Sequence, residues 1–381
     1  MTAFSLLCPT RTLFGRATRH AAAPAIRALG QRVVLVASRS VGWRDELTAA
    51  LRAEGAEVTH IFTRGEPDLP QLMAALEDLA AFGAEAVVGL GGGSALDLAK
   101  ALAALLPAKG NVLRHFEIVG DNAPLEAAPL PFIAIPTTSG TGAEATKNAV
   151  ISMPDHRRKV SLRDDRMMAA LAIVDPALTD NCPRGVTLAS GLDAVTQVIE
   201  PYLCSRANPL TDALCREAIP AGLHALVTLM EREDQPARDA LSKTSYFGGI
   251  ALANAGLGAV HGLAGVLGGV SDAPHGAICG RLLPEVLQVN RQEMHRQSHD
   301  TTRFDEVAGW ITTALGCPPD QAFARLGAQI YDWGLPRLGA FGLDQDDFPA
   351  IAEAAKSSSS MKANPVPLSS EQLLSILSRA A

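Results

Sequence analysis

The chain has no CxxC pair. Its six cysteines, Cys8, Cys182, Cys204, Cys215, Cys279 and Cys317, lie far apart in sequence. That scatter argues against a disulfide framework and against a cysteine zinc site, and favours reduced, mostly packed thiols. An excess of basic charge is also missing. A net charge of −7 and a pI near 5.7 give no electrostatic reason to hold nucleic acid or an anionic membrane surface. No run of about 18 apolar residues occurs, and no basic segment with a cleavage site opens the chain, so it reads as soluble and cytoplasmic. Repeats at a solenoid period are absent as well. A small-molecule partner is what remains.

What is present is length and pattern. With 381 residues, 48% of them hydrophobic and 19% charged, the chain exceeds one ordinary core and suits two domains. Residues 1–180 alternate short β-branched runs with helical stretches, the pattern of an α/β domain with a parallel sheet covered on both faces. Strands are expected at Arg32–Ala37, Glu57–Phe62, Ala86–Gly89, Phe132–Pro136 and Leu171–Val174, with helices around Val41–Glu54, Leu69–Phe82 and Ala95–Leu106. This order suits nucleotide binding at the carboxyl ends of the strands. From Pro183 onward strand signals nearly vanish, and residues 181–381 read as an all-α domain. Its helices should break at Pro201, Pro209, Pro274, Pro284, Pro318, Pro319, Pro336 and Asn364–Pro367.

Two loops can carry phosphate chemistry. The segment AVVGLGGGSALDLAK passes from a strand through Gly91, Gly92 and Gly93 into a helix beginning near Ser94. Glycines permit close backbone approach, and a helix N-terminus offers amides and positive dipole charge to a pyrophosphate. Ser94 and Asp97 have the spacing of a capping box, which suits a structural role equally well. After the strand FIAIP comes a second loop, Thr137, Thr138, Ser139, Gly140, Thr141 and Gly142, dense in small donors. An N-capped βα turn is the plainer reading of any single hydroxyl there.

In the helical half, Asp193 and Gln197 are four residues apart and project from one helix face. His261 lies on a glycine- and alanine-rich helix, and His275 follows directly after Pro274. One carboxylate, one carboxamide and two imidazoles form a mixed oxygen and nitrogen set suited to Fe²⁺, Zn²⁺, Mn²⁺ or Co²⁺.

Together these segments resemble the iron-containing (group III) alcohol dehydrogenase family over nearly the whole chain. The motifs are GGGSALDLAK (91–100), PTTSGTGAEAT (136–146), IVDPALT (173–179), SGLDAVTQVIEPY (190–202) and HGLAGVLGGVSDAPHG (261–276), in the family's order and spacing. The resemblance implies an α/β dinucleotide-binding domain followed by an all-α domain, an architecture shared with dehydroquinate synthase. It also implies one divalent metal, Fe²⁺ or Zn²⁺, between the domains, NAD or NADP as cofactor, and a homodimer. Carried over by position, Gly91, Gly92, Gly93 and Ser94 would meet the pyrophosphate. Thr137, Thr138 and Thr141 would lie along the phosphates and the nicotinamide half, with Asp97 in the same loop-helix motif. Lys159 would face the cofactor ribose and Leu178 would pack near it. Asp193, Gln197, His261 and His275 would be the metal ligands, with Asp193, His261 and His275 central to catalysis.

Three positions depart from the family. Gln197 stands where a histidine is usual, and a carboxamide oxygen is a weaker ligand. Gly265 replaces a second histidine four residues after His261, removing a proton relay. Ser38 and Arg39 stand where many members have an aspartate for the adenosine ribose diol, so a 2′-phosphate is not repelled and Arg39 can pair with it. The implied reaction interconverts an alcohol and an aldehyde or ketone by metal-assisted hydride transfer. The alternatives are a metal-independent reductase resembling maleylacetate reductases, or a dehydroquinate-synthase-like lyase. Lys147, Arg163 and Lys362 suggest an anionic substrate group, with surface ion pairs as the plainer reading.

Overall fold

The structure, a computed structural model, describes residues 3–381. Residues 7–138 and 142–180 form one compact unit, and residues 181–381 form a second together with 139–141 and 3–6. A single cut at residue 180 therefore does not describe the packing of the 139–141 segment. Gly140 explains why: a Cβ there would come within 2.9 Å of the Ser190 Cβ, so only glycine permits this approach to the helical unit. Ser139 and Ser242 hydroxyls add a 2.9 Å hydrogen bond.

The α/β unit contains β1 (Thr12–Phe14), α1 (Ala22–Arg27), β2 (Arg32–Ala37), α2 (Arg44–Ala53), β3 (Glu57–Phe62), α3 (Leu69–Leu79), β4 (Ala86–Gly91), α4 (Gly93–Leu105), β5 (Phe132–Pro136), β6 (Asn148–Met153), β7 (Arg158–Arg163) and β8 (Leu171–Val174). Six strands form a parallel sheet in the order β1-β8-β5-β4-β2-β3. Successive side chains alternate between its two faces. Val34, Val36, Val87 and Ala134 pack with Leu72, Leu79, Leu98 and Leu102 on one face, while Val33, Leu35, Val88, Ile133 and Ile135 meet Ile26, Leu47 and Leu51 on the other. Sandwiching between two helical layers is why these strands read as unbroken apolar runs. The chain runs from β2 outward to β3, then returns to place β4 on the other side of β2, so a topological switch point lies between β2 and β4. In open α/β sheets, ligands bind at the carboxyl ends beside such a point.

All five expected strands form. The β6-β7 hairpin, an antiparallel pair turning through Arg157 at φ 49°, and the edge strand β1 carry weaker signals and were not expected. The capping-box expectation at Ser94 and Asp97 fails. α4 starts one residue earlier, with Gly92 as its N-cap and no capping side chain, while Asp97 Oδ2 accepts the Val150 N–H of the hairpin at 3.2 Å. The same helix carries a fully buried lysine. Lys100 Nζ donates to the carbonyls of Ala143 (2.7 Å), Thr146 (2.8 Å) and Asn148 (3.0 Å) and to the Thr146 hydroxyl (2.9 Å). Burial pushes the ammonium down to about 8 and the neighbouring buried Glu144 carboxyl up to about 7.

The helical unit comprises α5 (Arg184–Leu203), α6 (Pro209–Glu231), α7 (Gln235–Asn254), α8 (Ala259–Val270), α9 (His275–Arg296), α10 (Thr302–Leu315), α11 (Ala322–Asp332), α12 (Phe348–Lys356) and α13 (Ser370–Ala380), around one continuous apolar core. α6 is long and apolar enough to span a bilayer, yet half of its most apolar stretch is buried within the unit, as in a bundle's core helix. Pro209 and Pro274 stand at helix starts as expected, but Pro201 and Pro284 lie inside α5 and α9 rather than ending them. Each removes one i→i−4 hydrogen bond. In α5 every residue from 191 to 203 is buried, so packing outweighs that loss.

Replacing Lys100 with Met leaves its four acceptors without the ammonium they share. Loss of about 3 kcal/mol is expected, read as a lower midpoint in chemical denaturation. An unchanged midpoint would show that the lysine does not hold the 143–148 segment.

Candidate functional site

At the carboxyl edge of the sheet, register brings the nucleotide-type loops side by side. Ala37 pairs with Leu90 and Gly91 with Pro136, so Ser38 and Arg39, Gly91–Ser94, and Thr137 and Thr138 emerge from adjacent strand ends. Two glycines keep this turn close-packed. Gly91 has φ 155° and an added Cβ would lie 2.7 Å from the Ala95 Cβ, while at Gly92 it would lie 3.0 Å from the Thr138 hydroxyl. A concave backbone thus leads into the uncapped start of α4, where first-turn amides and the helix dipole favour an anion. Thr137 N–H donates to the Gly91 carbonyl at 2.9 Å, tying the two loops together.

Directly beyond β2 lies one cationic residue, Arg39. The Arg39 guanidinium sits 4.2 Å from the centre of the Phe62 ring and is exposed, and Ser38 Oγ lies 2.8 Å from Ser40 Oγ. Lys159 lies on β7 with its ammonium paired to Glu66, and Leu178 packs half-buried against the cluster containing Leu171 and Ile173. Lys147 pairs with Asp165 at 2.5 Å and Arg163 with Glu117 at 3.4 Å, so two of the three cations suggested for an anionic substrate already have carboxylate partners.

The second site is built on α5, α8 and α9. Asp193 on α5 is buried, and its Oδ1 has no hydrogen-bond partner among the described residues. It lies 3.5 Å from His261 Nε2 and 3.9 Å from His275 Nε2. His275, the first residue of α9, keeps about a third of its side chain exposed and forms the open side of the cluster. One helical turn on, the fully buried Cys279 points its Sγ into the same space, 3.6 Å from His275 Nε2 and 3.9 Å from His261 Nε2. The ligand-type atoms of Asp193, His261, His275 and Cys279 all fall within 4.8 Å of one another.

A further carboxylate organises this group. Glu200, seven residues after Asp193 and on the same face of α5, accepts the Val260 N–H at 2.7 Å and His261 Nδ1–H at 2.5 Å. Because a carboxylate only accepts, His261 carries a proton on Nδ1, and in the neutral imidazole it is Nε2 that presents a lone pair toward Asp193 and Cys279. Burial opposes charge on His261, but Cys279, Glu200 and Asp193 more than offset it, and the imidazole pKa is raised. Burial likewise opposes the Cys279 thiolate, while His275 and His261 favour it, with a net lowering. Anionic donors and imidazole lone pairs facing one small volume are what a divalent cation requires.

Gln197 behaves differently. Its Nε2 donates to the Thr141 carbonyl at 2.6 Å, fastening the 139–141 segment to α5. Gly265, one turn beyond His261 on α8, has open space where a side chain would stand. Cys279 is a free, packed thiol as expected, but its place beside two imidazoles was not foreseen. The i, i+4 spacing from His275 was the available signal. Glu200 was also missed, and its i+7 spacing from Asp193 was the clue.

A parallel α/β unit with a glycine-lined turn at its switch point, joined to helices that converge carboxylate, imidazole and thiol, defines a dehydrogenase-type oxidoreductase. Comparison with known proteins gives the family. Residues 9–176 match the iron-containing alcohol dehydrogenase family and residues 187–381 the C-terminal domain of the Fe-containing alcohol dehydrogenase family. Long-chain-alcohol dehydrogenase 1 of Geobacillus thermodenitrificans is 34% identical over 362 residues, covering 91% of this chain and 88% of that protein. The NAD-dependent methanol dehydrogenase of Bacillus methanolicus is 29% identical across 98% of both chains. Among solved structures, an alcohol dehydrogenase from Oenococcus oeni superposes with a TM-score of 0.89 at 27% identity over the full length of both chains. The chain belongs to the iron-containing alcohol dehydrogenase family.

If Glu200 sets the tautomer of His261, Glu200→Ala should weaken binding of a divalent cation by roughly 10–100-fold. Competition with a chromogenic chelator measures this. Affinity equal to wild type would remove Glu200 from the site.

Proposed function

We propose that the protein interconverts an alcohol and an aldehyde or ketone, using NADH or NADPH and one divalent cation held by Asp193, His261 and His275. The observation that carries this reading is the buried Asp193 Oδ1, without a hydrogen-bond partner and facing two imidazole nitrogens. An orphaned buried carboxylate oxygen costs on the order of 1–3 kcal/mol or more, and a cation in that volume satisfies it. When bound, the cofactor supplies or accepts the hydride and the cation polarises the substrate oxygen.

The chain's own residues provide position and environment. Gly91, Gly92 and Gly93 leave room for a pyrophosphate against the start of α4, with Ser94, Thr137 and Thr138 as flanking hydroxyls. Asp97 and Lys100 brace this region by holding the hairpin and the 143–148 segment. Thr141, anchored through its carbonyl by Gln197, keeps its own loop in place. Lys159, paired with Glu66, and Leu178 support the ribose side. Glu200 holds the proton on His261 Nδ1, and the exposed face of His275 is the approach for substrate. With Gly265 leaving open space after His261, proton exchange passes through hydroxyls and solvent rather than a second imidazole. The family resemblance adds a cytoplasmic homodimer to this reading.

Two measurements test it. Protein prepared without oxygen and offered Fe²⁺ or Zn²⁺ separately should retain about one ion per chain, and His261→Ala should lose both ion and alcohol oxidation. Activity that persists in fully chelated protein would favour the metal-independent reductase instead.

The exposed guanidinium after β2, with no carboxylate at Ser38, Arg39 or Ser40 to repel a 2′-phosphate, supports use of NADPH. Arg39→Asp should move the NADPH-to-NADH ratio of kcat/KM toward NADH by at least about tenfold, the loss of one charge-assisted pair. No change in the ratio would count against Arg39.

A further inference from the structure

Resting on the proposed metal reading, we infer that Cys279 Sγ is a protein ligand of the cation beside Asp193, His261 and His275. Two independent observations support the inference. The first is spacing. A tetrahedral Zn²⁺ with N and O ligands near 2.0–2.2 Å and sulfur near 2.3 Å places its donor atoms about 3.3–3.8 Å apart. The separations between Asp193 Oδ1 and the two imidazoles, 3.5 and 3.9 Å, and between Cys279 Sγ and the same nitrogens, 3.6 and 3.9 Å, fall at or just beyond that range. The second is the buried, unpartnered Asp193 Oδ1 aimed into the same volume.

Helix geometry makes this assignment possible. His275 and Cys279 are one turn apart on α9 and share a face. Gly280, beside the cysteine, packs so closely that a Cβ there would lie 2.5 Å from the Leu192 side chain, and a Cβ at Gly276 would meet the Ala189 carbonyl at 2.1 Å. These two glycines let α9 lie directly on α5, bringing Sγ within reach of Asp193. Cation binding releases the thiol proton to solvent and leaves thiolate, with no change in oxidation state. A ligand set of one carboxylate, two imidazoles and one thiolate is softer than one of carboxylate and imidazoles alone, and it favours Zn²⁺ over Fe²⁺.

The test is X-ray absorption at the zinc edge on full-length protein loaded with one equivalent of Zn²⁺, after metal content has been measured separately. Wild type is expected to show one sulfur scatterer near 2.3 Å. Cys279→Ser should lose that shell, with at least a tenfold weaker Zn²⁺ affinity in chelator competition, while Gln197→Ala should keep it. The Co²⁺ forms provide a second readout, with a sulfur-to-metal charge-transfer band in wild type and Gln197→Ala that is missing in Cys279→Ser. A zinc shell of nitrogen and oxygen only in wild type would overturn the role of Cys279 and leave the metal reading intact. Sulfur scattering that survives in Cys279→Ser would overturn it too. Protein that binds no metal at all would overturn both.

Discussion

The helical unit turns on one carboxylate. Glu200 closes the start of α8 by accepting the Val260 amide and orients His261 by accepting Nδ1–H. The two tasks require the same place. A helix N-terminus draws negative charge, and a ligand imidazole needs an acceptor behind it. Gly258 keeps that place open, since a Cβ there would lie 2.8 Å from Glu200 Oε1. Asn364 completes the cap by accepting the Ala259 amide at 3.0 Å and is itself held by a reciprocal pair with Asn290. Residues from α5, α8, α9 and the segment before α13 thus fix the direction of one nitrogen lone pair.

The α/β unit meets a comparable demand with backbone rather than charge. Its switch point sets the ends of β2, β4 and β5 beside one another, and Gly91 and Gly92 remove the side chains that would fill the space above them. Lys100 stiffens the chain that leads away from β5. Its single buried ammonium gathers four oxygens from the 143–148 segment, a role that needs three donors on a flexible stem and that an uncharged chain of similar length cannot perform.

The legibility of each part in the sequence depends on its physics. The central strands announce themselves because burial on both faces demands continuous Val, Ile, Leu and Ala, whereas β6 and β7 bury one face and turn at Asp155-His156-Arg157 without a glycine. Pro201 and Pro284 misled because their local cost is overridden by the packing of α5 and α9, and a composition rule cannot weigh packing. In the candidate metal centre, Asp193, His261 and His275 were visible as ligand types at family spacing. Glu200 and Cys279 were not, since a lone glutamate or cysteine on a helix has many uses, and only the three-helix convergence distinguishes theirs.

Gln197 shows most directly how that convergence reassigns chemistry. The family pattern has an imidazole at this position, which makes one helix, α5, responsible for two ligands. Here the α5 side chain turns its amide to a loop carbonyl, and α9 offers two ligand-type atoms, at its first residue and one turn later. A thiol that binds as thiolate is anionic where an imidazole is neutral, so Asp193 and Cys279 would together balance a dication within a pocket where unbalanced charge is costly. The α5 side chain also has a task in the loop. Gly140 can approach Ser190 only if the 139–141 segment is held close, and the carboxamide of Gln197 supplies a donor that an aspartate or glutamate at the same position would lack. The anchoring of the loop is therefore not intelligible from position 197 alone.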